Sequence, residues 1–372
     1  MSLSAPATAP GTGPRAPRFH DLVVADVRRE TAEAVSVSFV IPESLVSAYQ
    51  FTPGQYLTLR ATIAGEELRR SYSICSVPAE GELRIAIKRV PGGVFSAFAL
   101  ERLKPGDRLA VMTPAGRFGI APAPGRARTH LALAAGSGIT PILSILQAIL
   151  AEEKESRVFL FYGNRRSADI LFAEKLAELK DRYLDRFALY HILSQEAQDI
   201  AFLNGRLDGE KVRLLLRHIV PAAAVDEVFL CGPEGMSEAV LPVLAASGLS
   251  PPRVHVERFA SALHGRPRPP PVPPPAGTPA FARAVLVLDG KRREIAVAEG
   301  EAVLDAALRA GMDLPYACKG GMCSTCRARL VEGRAEMALN FALDAAEVAS
   351  GYILTCQARP LTPHLVVDYD QA

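Results

Sequence analysis

The sequence predicts three domains in a row: a small antiparallel β-barrel, a doubly wound α/β domain on a parallel sheet, and an α+β domain in which one helix crosses a sheet. Three observations predict them. Apolar and polar residues alternate as far as about Ile120, continuous apolar runs separated by helix-length segments follow to Phe259, and a proline-dense stretch precedes a final hairpin-and-helix pattern. The length of 372 residues suits two or three such domains. With 49% hydrophobic and 22% charged residues, the balance is that of an ordinary soluble globular protein. The 42 basic and 40 acidic residues leave a net charge of +2, too small a surplus to neutralise a run of phosphates, so nucleic acid is not an expected partner.

Residues 1–18 are mostly Ala, Pro, Thr, Gly and Ser, with Arg15 and Arg18 their only charges. They lack the basic start and apolar core of a signal peptide and read as the disordered leader of a cytoplasmic protein. Over residues 19–120, Val35, Val37, Phe39 and Ile41 alternate with Ser36 and Ser38, and Leu83, Ile85 and Ile87 repeat the pattern with Arg84 and Lys88 between them. Pro53-Gly54, Gly92-Gly93 and Pro105-Gly106 punctuate these short strands, as in a barrel. Over residues 121–260, Leu131–Ala135, Val158–Tyr162 and Val228–Cys231 are buried strands of a sheet covered on both faces. Leu131 to Ala151 carries no charge over 21 residues, but Gly136-Ser137-Gly138 and Thr140-Pro141 interrupt it. A strand, a glycine turn and a helix account for it, with Thr140 as N-cap and Pro141 at the first helical position, so no membrane span is expected.

Residues 261–280 read as a linker, since eight of the fifteen residues from Gly265 to Pro279 are proline. Such a segment forms a semi-rigid extended spacer, here roughly 40 Å long at about 3.1 Å per residue. Residues 281–372 form the last domain. Asp289-Gly290 joins Val285–Leu288 to Lys291–Val297 as a two-residue hairpin turn. Val303, Leu304, Ala307 and Leu308 then share one helical face, and Gly311 stands where that helix ends.

Four of the six cysteines lie in this last domain, as Cys318, Cys323, Cys326 and Cys356. Their C-x4-C-x2-C spacing with a distant fourth is the plant-type [2Fe–2S] pattern. Gly320 and Gly321 lie in the first gap, where the chain can turn backbone N–H groups toward sulfur, and Lys319 and Arg327 stand beside a cluster whose charge is negative. A zinc tetrathiolate would use the same ligands but favours two close pairs. Disulfides need an oxidising compartment, and four unrelated buried thiols would share this spacing only by coincidence.

In the barrel, Arg70-Ser71-Tyr72-Ser73 resembles the R-x-Y-S flavin motif of the ferredoxin–NADP reductase superfamily. That likeness implies that Arg70 clamps a pyrophosphate, Tyr72 stacks on an isoalloxazine and Ser73 meets its N5. Gly93-Val94-Phe95-Ser96 is similar to the family's second flavin segment, which places Gly93 and Ser96 at FAD. Gly136-Ser137-Gly138-Ile139-Thr140-Pro141 lies between a strand and a helix, where a turn delivers phosphate to a helix N-terminus, and resembles the family's nicotinamide-dinucleotide segment through Gly136, Gly138 and Thr140. After the next strand, Arg165 and Arg166 suit the 2′-phosphate of NADPH, the expected coenzyme. Ser194-Gln195 lacks the cation some relatives carry there, which leaves NADH usable. Cys231, Gly232 and Pro233 resemble the C-G-P motif beside the nicotinamide, where Cys231 and Ser73 would flank the reacting atoms. Cys75 has no such context and reads as structural.

The order of parts resembles the reductase components of bacterial multicomponent oxygenases and implies an FAD-binding barrel, an NAD(P)-binding domain and a β-grasp ferredoxin domain. Within that group, Glu67-Leu68-Arg69-Arg70, Gly205–Lys211, Glu257-Arg258-Phe259 and Leu314–Gly321 are similar to the family of phenylacetyl-CoA epoxidase reductase subunits. The resemblance implies a path from NADPH through FAD and a [2Fe–2S] cluster to an oxygenase component. A bound flavin takes two electrons together and releases them singly to a one-electron cluster. Steroid or aromatic-ring hydroxylases are alternative clients, and a non-catalytic electron-transfer or scaffold protein is the alternative class.

Overall fold

The computed structural model describes residues 17–259 and 279–371, so most of the expected leader and nearly all of the expected linker lie outside the described residues. The chain divides into two compact units, the first spanning Phe19–Arg268 and the second including Pro269–Ala372.

The first unit opens with β1 (Phe19–Thr31), β2 (Ala34–Val40), β3 (Tyr56–Ile63), β4 (Glu66–Ser73), β5 (Leu83–Lys88), α1 (Val94–Glu101) and β6 (Arg108–Met112). The strands form an antiparallel sheet in the order β4-β3-β6-β1-β2-β5, and an isolated bridge between Ile74 and Ile85 brings its ends together as a barrel. Leu22, Val37, Leu57, Leu59, Ile85 and Ile87 fill it. The alternation in β2 places Ser36 and Ser38 on the outward face, yet both are buried. Arg84 explains this. Its guanidinium donates to Ser36 Oγ (2.8 Å) and Ser38 Oγ (3.2 Å) and pairs with Asp26 (2.8 Å) and Glu82 (2.6 Å), forming a second, charged layer over the serines. A buried guanidinium is tolerable only when paired in this way, and its hydrogen bonds hold both carboxyls below their ordinary range.

The unit continues with β7 (Thr129–Ala135), α2 (Ile139–Glu152), β8 (Arg157–Asn164), α3 (Ala173–Arg182), β9 (Phe187–Leu193), α4 (Gly209–His218), β10 (Glu227–Gly232), α5 (Glu234–Ala246) and β11 (Val254–Arg258). The sheet is parallel, in the order β11-β10-β7-β8-β9, with apolar clusters on both faces. The uncharged stretch is β7, a turn and α2, and no helix among the described residues is long and apolar enough to cross a membrane. Residues 139–150 of α2 are all buried because the barrel covers the face the sheet leaves open. Ser144 Oγ donates to the Ser76 carbonyl (2.6 Å) and Gln147 Nε2 to the Cys75 carbonyl (3.3 Å).

Thr140 is not the N-cap. A 3₁₀ turn at Gly136–Gly138 runs directly into α2, Gly138 takes the cap position, and the Thr140 hydroxyl donates back to the Ser137 carbonyl at 2.9 Å. Pro141 accordingly lies at the third helical position instead of the first.

The second unit contains β12 (Ala282–Leu288), β13 (Lys291–Val297), α6 (Val303–Arg309), β14 (Arg327–Glu332), β15 (Ala335–Met337), α7 (Ala345–Ala349), β16 (Tyr352–Leu354), β17 (Ala358–Pro360) and β18 (His364–Asp368). Its main sheet runs β13-β12-β18-β14-β16 with β12 and β18 parallel, and α6 packs its buried Val303, Leu304 and Ala307 into the domain core. Asp289 (φ +53°) and Gly290 (φ +71°) form the expected two-residue turn, with Leu288 paired to Lys291. β15 and β17 form a small second sheet.

Candidate functional site

The end of β4 meets the C-terminal ends of β10 and β11. Strand alternation decides which arginine of the Arg69-Arg70 pair is available: Arg69 is buried and paired with Glu67 (3.0 Å), whereas Arg70 faces outward. Tyr72 lies 5.8 Å from the Phe95 ring, and burial raises its hydroxyl above its ordinary range. Ser73 is buried, and its Oγ donates to Glu257 Oε2 at 3.1 Å. The parallel register sets Glu257 beside Cys231. Burial pushes Glu257 up to about 8, with the Ser73 bond opposing it, and burial together with the Glu257 charge raises the fully buried Cys231 thiol. Ser73 and Cys231, separated by most of the first unit, are thus joined through Glu257, whose role sequence reasoning missed. Its only signal was a place in the Glu257-Arg258-Phe259 likeness.

Gly138 packs against the other side of this cluster. A Cβ there would lie 2.1 Å from the Cys231 carbonyl oxygen, so only glycine lets the two turns approach. Gly138→Ala is expected to cost on the order of 3 kcal/mol, read by urea unfolding, because backbone and not a flexible side chain blocks the methyl. The Gly136 carbonyl accepts from Tyr162 Oη at 2.9 Å, and Lys88 Nζ, reaching from the barrel, lies near this turn. Burial lowers the Lys88 ammonium. Sequence reasoning treated that lysine only as a polar residue interleaved in a strand. Gly232 ends β10 and Pro233 caps α5. Gly93 caps α1, while Ser96 is buried with its hydroxyl engaged: it donates to the Gly93 carbonyl and accepts from the Val90 N–H, both at 3.0 Å. Ser96 therefore shapes its loop, and what that loop offers a phosphate is the backbone N–H groups of the first turn of α1. Arg165 and Arg166 are exposed at the end of β8.

In the second unit the four cysteines lie between α6 and β14 and after β16, as two contacting pairs: Cys318 with Cys323, and Cys326 with Cys356. None is bridged. Gly320 N–H donates to Cys318 Sγ (3.3 Å), Thr325 Oγ1 to Cys323 Sγ (3.2 Å) and Gln357 Nε2 to Cys356 Sγ (3.6 Å). The partner thiol and these donors lower one member of each pair, Cys318 and Cys356. Lys319 (φ +50°), Gly321 (φ +75°) and Ser324 (φ +51°) bend the loop around them, and a Cβ on Gly321 would meet the Leu339 carbonyl at 2.8 Å. The cations beside the ligands are neutralised within the domain, Lys319 by Asp305 (3.0 Å) and Arg327 by Glu347 (3.2 Å).

Family models match all three parts: an oxidoreductase FAD-binding domain over residues 23–120, an oxidoreductase NAD-binding domain over 132–241 and a 2Fe-2S iron-sulfur cluster binding domain over 286–361. One subunit of the 1,2-phenylacetyl-CoA epoxidase of Escherichia coli K12 is 45% identical, covering 95% of this chain and 98% of that one. The chain belongs to the ferredoxin–NADP reductase superfamily. The ferredoxin reductase component of 3-ketosteroid-9-alpha-monooxygenase from Rhodococcus rhodochrous is a second relative, 32% identical over 96% of this chain and 98% of that one. Phthalate dioxygenase reductase shares the fold, with a TM-score of 0.56 at 24% identity, covering 94% and 98% of the two chains. As a superfamily member with a 2Fe-2S domain, the protein is a flavin iron–sulfur NAD(P)H oxidoreductase of the multicomponent oxygenase type. The cysteine loop fits a cluster: three of the four thiols receive N–H or O–H donors, and its glycine admits the tight approach.

Proposed function

We propose that this reductase draws electrons from NADPH and delivers them, through FAD and a [2Fe–2S] cluster, to the oxygenase of a phenylacetyl-CoA 1,2-epoxidase in phenylacetate breakdown. The observation that carries the client assignment is the 45% identity to the Escherichia coli epoxidase protein over nearly the full length of both chains. Arg70, Tyr72, Ser73, Gly93 and the N–H groups of the Ser96 turn hold the flavin. Gly136, Gly138, Thr140 and the Cys231-Gly232-Pro233 turn hold the nicotinamide half of the coenzyme, Arg165 and Arg166 hold its adenosine phosphate, and Cys318, Cys323, Cys326 and Cys356 ligate the cluster. Six free thiols, four of them needed as ligands, support a reducing cytoplasmic setting.

The flavin supplies the exchange between paired and single electrons. The protein's own task is positioning and proton release. Oxidation of NADPH to NADP⁺ yields two electrons and one proton, and that proton must reach water. Ser73 Oγ already donates to Glu257 Oε2, so above the Glu257 value of about 8 a proton arriving at Ser73 passes on to its carboxylate. Reconstitution tests the function: purified protein, NADPH, the oxygenase components of the epoxidase and phenylacetyl-CoA, with loss of the thioester followed in time. Consumption that depends on this protein is the expected result. A reduced flavin and cluster with surviving thioester would move the client to another oxygenase, the 3-ketosteroid system first on the likeness seen over 96% of the chain.

A further inference from the structure

The loops that follow β8 and β9 are laced together at the edge where the adenosine of the coenzyme is expected. Ser194 N–H donates to the Asn164 carbonyl (3.0 Å) and Gln195 N–H to the Arg165 carbonyl (2.8 Å). The next residue, Glu196, receives Ser167 N–H (2.8 Å) and Ser167 Oγ–H (2.9 Å) on its carboxylate oxygens. These bonds, and the charge of Arg166, hold its carboxyl below the ordinary range. Glu196 is exposed, as are both arginines, but it is latched to the main chain and cannot swing away as a free surface glutamate would. The adenosine end of the site therefore sets a fixed carboxylate beside the arginines that suit a 2′-phosphate.

We propose that Glu196 is a coenzyme-specificity residue, which opposes the 2′-phosphate that Arg165 and Arg166 attract and so keeps NADH in use beside NADPH. This rests on the nucleotide site assigned above. A carboxylate beside a 2′-phosphate in a solvated site disfavours it by about tenfold. Glu196→Gln keeps the side-chain shape and the carbonyl that accepts from Ser167 and removes only the charge. In the FAD-loaded full-length protein, the ratio of kcat/KM for NADPH over NADH, read as bleaching of the flavin, is expected to rise about tenfold, an advantage that shrinks at high salt. Titration should show 2′,5′-ADP binding more tightly to the variant and 5′-AMP binding unchanged. A ratio and a 2′,5′-ADP affinity that both stay within about twofold of the starting protein would overturn the proposal. Ser167→Ala, which loosens the latch and leaves the charge, is expected to shift the ratio in the same direction but by less, and a shift in the opposite direction would also overturn the proposal. If neither coenzyme bleaches the flavin, the reductase assignment fails, and the 2′,5′-ADP titration still decides the role of Glu196.

Discussion

Replacing Cys318 with Ser is expected to leave bleaching of the flavin by NADPH intact while electron delivery to the oxygenase, or to cytochrome c, falls by more than about 100-fold, beyond the range lost when only a supporting partner of a metal ligand is removed. Cys318 belongs to the more exposed of the two thiol pairs, and its sulfur is lowered by the Cys323 thiol and by the N–H groups of Gly320, Met322 and Cys323. A serine hydroxyl in that place is a hard, far less acidic ligand that cannot replace a thiolate. The residues proposed to hold flavin and coenzyme all belong to the other compact unit, with its own core clusters, so losing a cluster would leave their chemistry in place. Stopped-flow absorbance at the flavin band, set beside acceptor reduction, separates the two steps. An unchanged acceptor rate would mean that electrons leave directly from the flavin.

Glu257→Gln is expected to slow turnover about 100-fold above pH 8, the lower end of what a positioned proton acceptor contributes. Below its value of about 8, Glu257 already holds a proton and cannot take another. The rate in the unmodified protein should therefore rise with pH through about 8, and the rise should be absent in the glutamine variant. Stability gives an independent check of the opposite kind. Folding raises this carboxyl from its ordinary 4.5 to about 8, so across that window the folded chain keeps a proton that the unfolded chain has released. The contribution of the neutral group is full below about 4.5 and is lost as pH climbs toward 8. Glutamine loses nothing, so the Tm of the variant should exceed that of the unmodified protein by a margin that grows from about pH 5 to about pH 8 and is flat above it. A margin independent of pH would show that Glu257 is an ordinary carboxylate.

Much of the architecture was legible because its signals are local. Alternation marks β2 and β5, continuous apolar runs mark β7, β8 and β10, Asp289-Gly290 fits its hairpin turn, and the spacing of Cys318, Cys323 and Cys326 is that of a single loop wrapped around a cluster. Each depends on residues within one element or one turn, where backbone geometry relates neighbours directly. Local rules also produced the errors. A threonine before a proline looks like a helix cap, but the 3₁₀ turn at Gly136–Gly138 had already begun the helix. Alternation tells which face Ser36 and Ser38 share but not what covers it, and Arg84 reaches over them from a neighbouring strand.

By itself the sequence determined the three kinds of domain, and it singled out the glycine turns and the four cysteines proposed to hold the cofactors. Only the tertiary structure decided which polar groups meet. Ser73 and Glu257 stand 184 positions apart and come together because a barrel strand ends against a parallel sheet. Glu196 finds Ser167 because two strand ends lie side by side. Such pairings arise from packing between elements whose own patterns concern burial alone, and burial is indifferent to which carboxylate ends beside which hydroxyl.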